Sequence, residues 1–377
     1  MLKVHKIKLD PNIDQRKYFA KACGVARVAY NWALSEWEKQ YKDGGKPSEM
    51  VLRKKLNSIK ATEFPWMTEV TKNAPQQAIK NLGTAYTNAF RRMKQGQKTG
   101  SETNPYGFPR PKRKFINDSF RADNGPQKKG ADAVSIQGKK IKLPKIGWVR
   151  MREYLRFTGQ IKSVTISRQA DKWFAAISIE TEDILHQRKA KKSCGIDLGV
   201  KHLATLSDGT KIEGAKSLEA LLKKKKRLQR ELCRRKKGSE NRSKTKLKLA
   251  KLEAQISNAR NDAHHKATTE IVLNNHTIAM EDLNVKGMVK NHKLARRLND
   301  QAFGEFKRLI EYKADWYGSR VTQVDRFFPS SKTCNACGHI KEDLKLSDRI
   351  FVCPVCDYKE DRDVNAAKNI KDNAVAA

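Results

Sequence analysis

Two cysteine pairs near the C-terminal end constrain this chain more than any other feature. Cys334-x-x-Cys337 and Cys353-x-x-Cys356 are separated by fifteen residues. Each C-x-x-C closes a small turn that aims two thiolates at one point, so the two turns together supply a tetrahedral set of soft ligands. Gly338 and Asp357, each directly after a pair, tolerate the turn backbone. Zinc fits this set, and four protein thiolates leave no coordination position for a reacting water. The site is therefore structural, and it can add a contact to nucleic acid. Cys23, Cys194 and Cys233 read instead as small buried or half-buried residues. A disulfide reading fails if the chain is intracellular, and the sequence points that way. Met1 to Lys8 has no apolar signal core, and no run approaches the roughly 18 apolar residues a membrane span needs.

Charge supplies the second constraint. Lys plus Arg number 79 and Asp plus Glu 41, a net charge of +38. A folded body with so much like charge repels itself, and a polyanionic partner is the economical remedy. The 38% hydrophobic content and six Trp argue against a disordered basic protein. A basic membrane-surface protein would need an amphipathic or lipidated anchor, and none is visible. The densest block runs from Lys223 to Lys251, with fifteen Lys/Arg against Glu231 and Glu240, a local +13. Leu218, Leu221, Leu222, Leu228 and Leu232 predict one helix there, and Leu249, Leu252, Ile256, Ala259 and Ala263 a second. The polar, charged stretch Lys237 to Ser243 joins them, so the block reads as a helical hairpin whose basic face, including Lys223, Arg227, Arg230 and Arg234, tracks phosphates.

Three carboxylates stand out against that background. Ser193 to Val200 reads as a strand, continuing through Leu206 to an Asp208-Gly209 turn of hairpin type. Alternation puts Asp197 on one face with Gly195 and Gly199, where the absent side chains leave room for a metal and a phosphate. Thr277 to Leu283 is a second apolar strand, with Glu281 beside Ala279; Asp282 points the other way and is expected to cap the next turn. Asp363 lies at the cap or first turn of a short helix marked by Val364, Ala367 and Ile370. Alone, each has a bland reading: an edge Asp, a turn acid, an N-cap. Two strand carboxylates and one at a helix start together form the pattern of RNase H-like nucleases, in which two Mg²⁺ ions activate a water and stabilise the leaving oxygen.

Gly195-Ile196-Asp197-Leu198-Gly199, Glu281-Asp282-Leu283, the cysteine pairs after Phe328-Pro329-Ser330-Ser331-Lys332-Thr333, and Asp361-Arg362-Asp363-x-Asn365-Ala366-Ala367 resemble the OrfB/TnpB family of insertion sequences. Ala29-Tyr30-Asn31-Trp32-Ala33-Leu34 and Gly107-Phe108-Pro109-Arg110-Pro111-Lys112 resemble it too, so the likeness covers nearly the whole chain. It implies an RNA-guided DNA endonuclease, related to type V CRISPR effectors, with a RuvC-like domain interrupted by a zinc ribbon. The implied catalytic acids are Asp197, Glu281 and Asp363, with Asp361 the weaker choice for the third. Arg326 is implied as a contact to the scissile phosphate. Implied partners are a guide RNA transcribed from the element and a double-stranded DNA target, bound by a monomer with one RNA in the prokaryotic cytoplasm, at the nucleoid and away from membranes. Implied cofactors are structural Zn²⁺ and catalytic Mg²⁺, two ions, with Mn²⁺ as a substitute.

The N-terminal half reads as a weak strand followed by helices from Asp14 to about Met93. In the last of these, Ile79, Leu82, Tyr86, Ala89 and Phe90 form an apolar stripe, while Gln77, Lys80, Asn81, Thr84 and Asn88 form a polar face able to read base edges. Arg110, Lys112, Arg113 and Lys114 make a basic clamp interleaved with Pro and Phe. Hairpins are predicted around Gly138 and between Ile161–Ser167 and Trp173–Ile179, giving a small β-barrel to which the first strand returns. In the family this wedge grips the RNA scaffold, largely by shape, phosphates and 2′-hydroxyls.

The predicted fold is thus multidomain α/β: residues 1–12 the first wedge strand, 13–104 a helical recognition lobe, 105–187 the wedge barrel, 188–330 a RuvC-like nuclease domain with the basic hairpin, 331–358 the zinc ribbon, and 359–377 the end of the nuclease domain. Two other readings compete with guided cleavage: a nuclease-inactive RNA-guided repressor and a strand-transferring transposase. A Tyr-nucleophile mechanism lacks its His-hydrophobe-His motif, since His264 and His265 are adjacent and point about 100° apart on a helix. An HNH nuclease is equally unsupported.

Overall fold

Period-two burial sets the first element, β1 (Leu2–Asp10), with His5, Ile7 and Leu9 inward and Leu2, Val4 and Lys6 outward. The computed structural model describes residues 1–99, 101–125, 133–182, 192–345 and 347–376, in two compact units, Met1–Asp183 and Ile184–Ala377. The boundary predicted between residues 187 and 188 lies outside the described residues. Among the described residues, no helix is long and apolar enough to cross a membrane.

In the first unit β1 leads into α1 (Ile13–Lys42), started by a capping box in which Asn12 and Gln15 satisfy each other's backbone amides. Helices α2 (Glu49–Ile59) and α3 (Asn73–Lys94) follow, with a 3₁₀ turn at Pro65–Glu69 between them. Trp37 of α1 and Tyr86 of α3 stack with ring centres 4.5 Å apart. Strands β2 (Ser119–Asp123), β3 (Ser135–Gln137), β4 (Lys140–Leu143), β5 (Gly147–Met151), β6 (Gln160–Gln169) and β7 (Lys172–Glu180) form an antiparallel sheet with β1, in the order β2-β6-β7-β1-β5-β4-β3. Both predicted hairpins form, and the first strand does return to pair with β7 and β5. The barrel is not found: no ladder joins β2 to β3 among the described residues, so the sheet stays open. Phe19 of α1 packs on it, against Phe120 and Trp173 at 6.0 and 5.2 Å.

The second unit is built on strands β8 (Ser193–Asp197), β9 (Ala204–Leu206), β10 (Lys211–Ile212), β11 (Thr277–Glu281) and β12 (Arg320–Val324). Their order is β10-β9-β8-β11-β12; β10, β9 and β8 pair antiparallel, and β8, β11 and β12 parallel. Between β10 and β11 runs the predicted helical hairpin, α4 (Ser217–Arg234) and α5 (Glu240–Asn274), closed by Leu228, Leu252 and Ile256. Helices α6 (Val285–Val289), α7 (His292–Gln301) and α8 (Phe303–Tyr317) carry the chain to β12. Cys194, Ile196, Ile278 and Met280 pack on one side of the sheet with Ile271, Val272, Phe306 and Ile310 of α5 and α8. A ribbon follows β12 and contains the hairpin β13 (Ile350–Val352) and β14 (Lys359–Asp361), which runs directly into α9 (Arg362–Ala376) on the opposite side of the sheet.

Candidate active site

The parallel register delivers the first two carboxylates. Ile196 of β8 lies opposite Met280 of β11, so the next residues, Asp197 and Glu281, end neighbouring strands side by side. Parallel strands present their carboxyl ends where ligands bind in open α/β sheets. The third arrives with α9. A Cβ placed on Gly195 would lie 2.0 Å from the Ala367 carbonyl oxygen and 2.6 Å from the Lys371 nitrogen, so only glycine lets this helix approach β8. Ala279 meets Ile370 of α9 on the same face. The sequence reading assigned the space beside Gly195 to metal and phosphate; the structure fills it with helix backbone. Asp363, in the first turn of α9, is thereby set close to Asp197.

Electrostatics records the convergence. Burial first, and then the negative charges of Glu281 and Asp363, push the Asp197 carboxyl up to about 7, against an opposing pull from Arg362. Arg362 donates to Asp363 Oδ1 at 3.1 Å, and the Ser330 hydroxyl donates to Glu281 Oε1. Asp361 has another job: its Oδ1 accepts from the amides of Asp363 and Val364 at 3.0 and 3.2 Å, capping α9, and Lys211 sits on Oδ2 at 2.6 Å. Burial works against its ionisation, but Lys211 and those amides outweigh it and hold the carboxyl low. With Asp361 spent as the cap, Asp363 is the acid at the helix start left to face Asp197. The three acids supply hard oxygen donors with a surplus of negative charge, the donor type a divalent cation of the Mg²⁺ kind takes, although among the described residues only the four cysteines below stand within metal-ligand reach of one another.

Asp282 departs from expectation. Asn284, not Asp282, caps the next turn, accepting from the Gly287 amide at 3.0 Å. Asp282 instead accepts from Arg326 at 2.6 Å and from Lys307 at 3.4 Å, and the Arg326 guanidinium holds it below the usual carboxylate range. Arg326, expected at a phosphate, is engaged here in that ion pair, and also donates to the Asp282 carbonyl.

The four thiols form a second centre. All lie within 4.8 Å of one another, the one such group of three or more His, Cys, Asp or Glu ligand atoms among the described residues. Cys334 and Cys356 sulfurs are 3.7 Å apart, and those of Cys337 and Cys353 3.6 Å. Tetrahedral Zn–S bonds of about 2.3 Å require edges of about 3.8 Å, so the cluster has the size of a zinc site. Gly338 and Asp357 take positive φ of 76° and 54°, as their turns demand. Of the other cysteines, Cys23 and Cys194 are buried as expected, while Cys233 is exposed because it falls on the solvent side of α4.

The basic candidates divide. Lys223, Arg227, Arg230 and Arg234 recur every three or four residues along α4, all exposed, on one stripe of the helix. Arg110, Lys112, Arg113 and Lys114 are exposed in the first unit. There the Asn31 side chain exchanges hydrogen bonds of 3.0 and 2.8 Å with the Lys112 backbone, and Lys112 Nζ lies 4.3 Å from the Tyr30 ring centre, so two motifs far apart in sequence form one contact. Lys80 is exposed on α3. Gln77 is a correction: only 8% exposed, it donates to Asp123 Oδ2 and presents nothing to a groove, because the turn it occupies packs against β2.

Sequence reasoning missed Ser330, Asn365 and Asn369, all buried polar residues at the site. Their signal was there: polar residues at helical spacing on the apolar side of α9, and a Ser following Pro just before the first cysteine pair. It also passed over Phe327, 87% exposed in the loop that leaves β12 at the carboxylate end of the parallel strands.

A family described as "Probable transposase" matches residues 176–292, a "Cas12f1-like, TNB domain" matches 303–370, and a "Helix-turn-helix domain" matches 1–46. The chain is 33% identical to a protein of Escherichia coli K12 named "Putative RNA-guided DNA endonuclease InsQ", over 98% of this chain and 91% of that one. It is likewise 33% identical to a "Putative RNA-guided DNA endonuclease" of Streptomyces pristinaespiralis, over 99% and 89%. Among solved structures it resembles the Cas12f1 chain of a Cas12f1–sgRNA–target DNA complex, with TM-score 0.62 and 18% identity over 95% of this chain and 83% of that one, a likeness of fold.

Proposed function

The chain belongs to the OrfB/TnpB family of insertion-sequence proteins, and from that premise we propose that it cleaves DNA selected by base pairing to a guide RNA transcribed from its element. The observation that carries the reading is the meeting of Asp197, Glu281 and Asp363 at one end of the second unit's sheet, registered in the upward push on Asp197. These residues would hold two Mg²⁺ ions, or Mn²⁺ in their place. Bound there, the ions supply an activated water and a stabilised leaving oxygen for phosphodiester hydrolysis. The chain's own groups set the stage: Ser330 orients Glu281, Arg362 holds Asp363, and Asp361 secures the helix that carries it. The four thiolates would hold Zn²⁺ as a structural ion.

The nucleic acids contribute the sequence choice, and the protein reads backbone and a short flanking motif. The α4 stripe suits the phosphates of a heteroduplex or displaced strand, and the Arg110–Lys114 clamp with Lys80 suits the RNA scaffold or the duplex beside the target. In this scheme 13–104 recognises the flanking motif, 1–12 and 105–187 grip RNA, 188–330 with 359–377 cuts, and 331–358 is the zinc ribbon. A monomer with one RNA, at the prokaryotic nucleoid, fits these roles.

The test is protein purified with its bound RNA, incubated with matched DNA and Mg²⁺. Cleavage that vanishes with mismatched DNA, with RNase treatment and in Asp197→Ala is the expected result. Equal cutting by Asp197→Ala overturns the catalytic assignment, and cutting that survives RNase overturns guidance in favour of strand transfer.

A further inference from the structure

The ribbon and the carboxylates are joined by a buried polar clamp. Asn365 is 0% exposed and Asn369 5%, one turn apart on α9. Asn365 Nδ2 donates to the Thr333 carbonyl at 2.8 Å, and its Oδ1 accepts the Asn335 amide at 3.1 Å. Asn369 Nδ2 donates to the carbonyls of Ser330 and Thr333 at 2.8 and 2.6 Å, and its Oδ1 accepts from Asn335 Nδ2 at 3.1 Å. Thr333 directly precedes Cys334, and Asn335 lies inside the first C-x-x-C turn. Both asparagines therefore grip the backbone of the cysteine knuckle itself. Ser330, whose carbonyl Asn369 holds, turns its hydroxyl onto Glu281.

The β13–β14 hairpin grips the same helix. β14 runs into α9 without a linker, and Lys368 donates to Glu360 at 2.6 Å and to the Tyr358 hydroxyl at 3.3 Å. A short ribbon has too little core to hold both cysteine turns in place unaided, and a metal is the usual remedy. Its apolar core centres on Phe351, Cys334 and Cys353, with Leu344 and Tyr358 at the margin. Opening the knuckle would free Thr333 and Asn335, and would take from two buried asparagines the partners that satisfy and orient them.

We propose that Asn365 and Asn369 are positioning residues that make the placement of Glu281 and Asp363 depend on closure of the cysteine knuckle, so that zinc loading governs the carboxylate site from which it is separate. The inference rests on reading those carboxylates as the cleavage site. Coupling between two sites is reciprocal: if zinc strengthens divalent-ion binding at the acids, ions at the acids must retard zinc loss by the same factor.

The experiment uses the full chain with its bound RNA and Mn²⁺ alone as the probe, its affinity read from the electron paramagnetic resonance of the free ion after subtracting the uptake by the same RNA without protein. Parent, Asn369→Leu, Asn335→Ala and Asp197→Ala are each compared zinc-loaded and zinc-stripped. Stripping is expected to weaken Mn²⁺ binding by about tenfold in the parent and by less than about twofold in Asn369→Leu, whose affinity is already low. Saturating Mn²⁺ should slow zinc release to a chelating dye in the parent and not in Asn369→Leu. In cleavage, Asn369→Leu should lower kcat while affinity for matched DNA and zinc content stay parental. Parent affinity indifferent to zinc, with Asp197→Ala still abolishing Mn²⁺ binding, overturns the coupling and leaves the cleavage site standing. Mn²⁺ binding that survives in Asp197→Ala overturns the site reading itself. Should Asn369→Leu lose zinc through misfolding, the parent's zinc dependence and Asn335→Ala, which keeps both sites' own residues, decide between the outcomes.

Discussion

Asp197→Asn should make this protein more stable while ending its cleavage. Burial and the charges of Glu281 and Asp363 raise the Asp197 carboxyl from 3.8 to about 7. At about 1.36 kcal/mol per tenfold change in proton affinity, that rise sets a ceiling of about 4 kcal/mol for ionising Asp197 in the folded chain without a divalent ion. Between pH 3.8 and about 7 the folded state binds more protons than the unfolded state, so stability falls as pH rises through that window. An amide avoids the charge but keeps the desolvation of a polar group, which leaves a gain of about 2–4 kcal/mol at pH 8. The gain should shrink steadily below pH 7 and vanish near pH 4. Scanning calorimetry of parent and variant at pH 5.5, 6.5 and 8, with zinc content checked at each pH and no Mg²⁺ added, reads it directly. Added Mg²⁺ should then raise the parent's transition and leave the variant's unmoved, since only an ion bound to the folded state stabilises it. A variant no more stable than the parent at pH 8, or a gain independent of pH, would refute the account of Asp197 as a charge strained by its neighbours.

Gly195→Ala should lower stability by about 2–4 kcal/mol and remove cleavage, because its Cβ collides with the Ala367 backbone and moves α9 as a body; calorimetry and a cleavage assay check both effects together. Replacing Lys223, Arg227, Arg230 and Arg234 by Ala should leave the melting temperature nearly unchanged, since all four are exposed. It should flatten the salt dependence of DNA binding by about three to four in the log–log slope, as four lost phosphate contacts require.

Much of this site was legible because its chemistry is local. The thiol cluster follows from spacing alone, since each C-x-x-C makes its own turn. Asp197 and Glu281 were found because each ends a short apolar strand beside a small residue. The role of Gly195 was not legible: absence of a side chain invites either a ligand or a helix, and only the path of α9 says which. Gln77 shows the same ambiguity on a helix. Its spacing puts it at the border of the polar face, and its burial depends on β2, some forty residues away, bringing Asp123 to it. The barrel was overdrawn for a related reason. Hairpins are local and were read correctly, whereas closure depends on whether the outermost strands, β2 and β3, meet. Asn365 and Asn369 lay in a motif singled out for its acids, and their function depends on a knuckle some thirty residues upstream.

The excess of +38 does not extend its relief to the carboxylates. At physiological ionic strength exposed charges are screened over about 8 Å, so cations on α4 or elsewhere on the surface do little for a half-buried acid. What counts is the local balance, where Asp197 meets Glu281, Asp363 and Asp361 against Arg362, and the carboxyl is raised to about 7 in spite of the basic chain around it. On the reading proposed here, one more arginine there would offset only part of that charge and would occupy space that the ions and substrate oxygens need. Leaving the deficit open keeps a place for mobile positive charge, which nucleic acid itself carries in its counterion atmosphere. On the reading proposed here, the surface cations draw the polyanion in and the half-buried acids hold the ions that cut it, and the two populations of charge serve one reaction because they are kept apart.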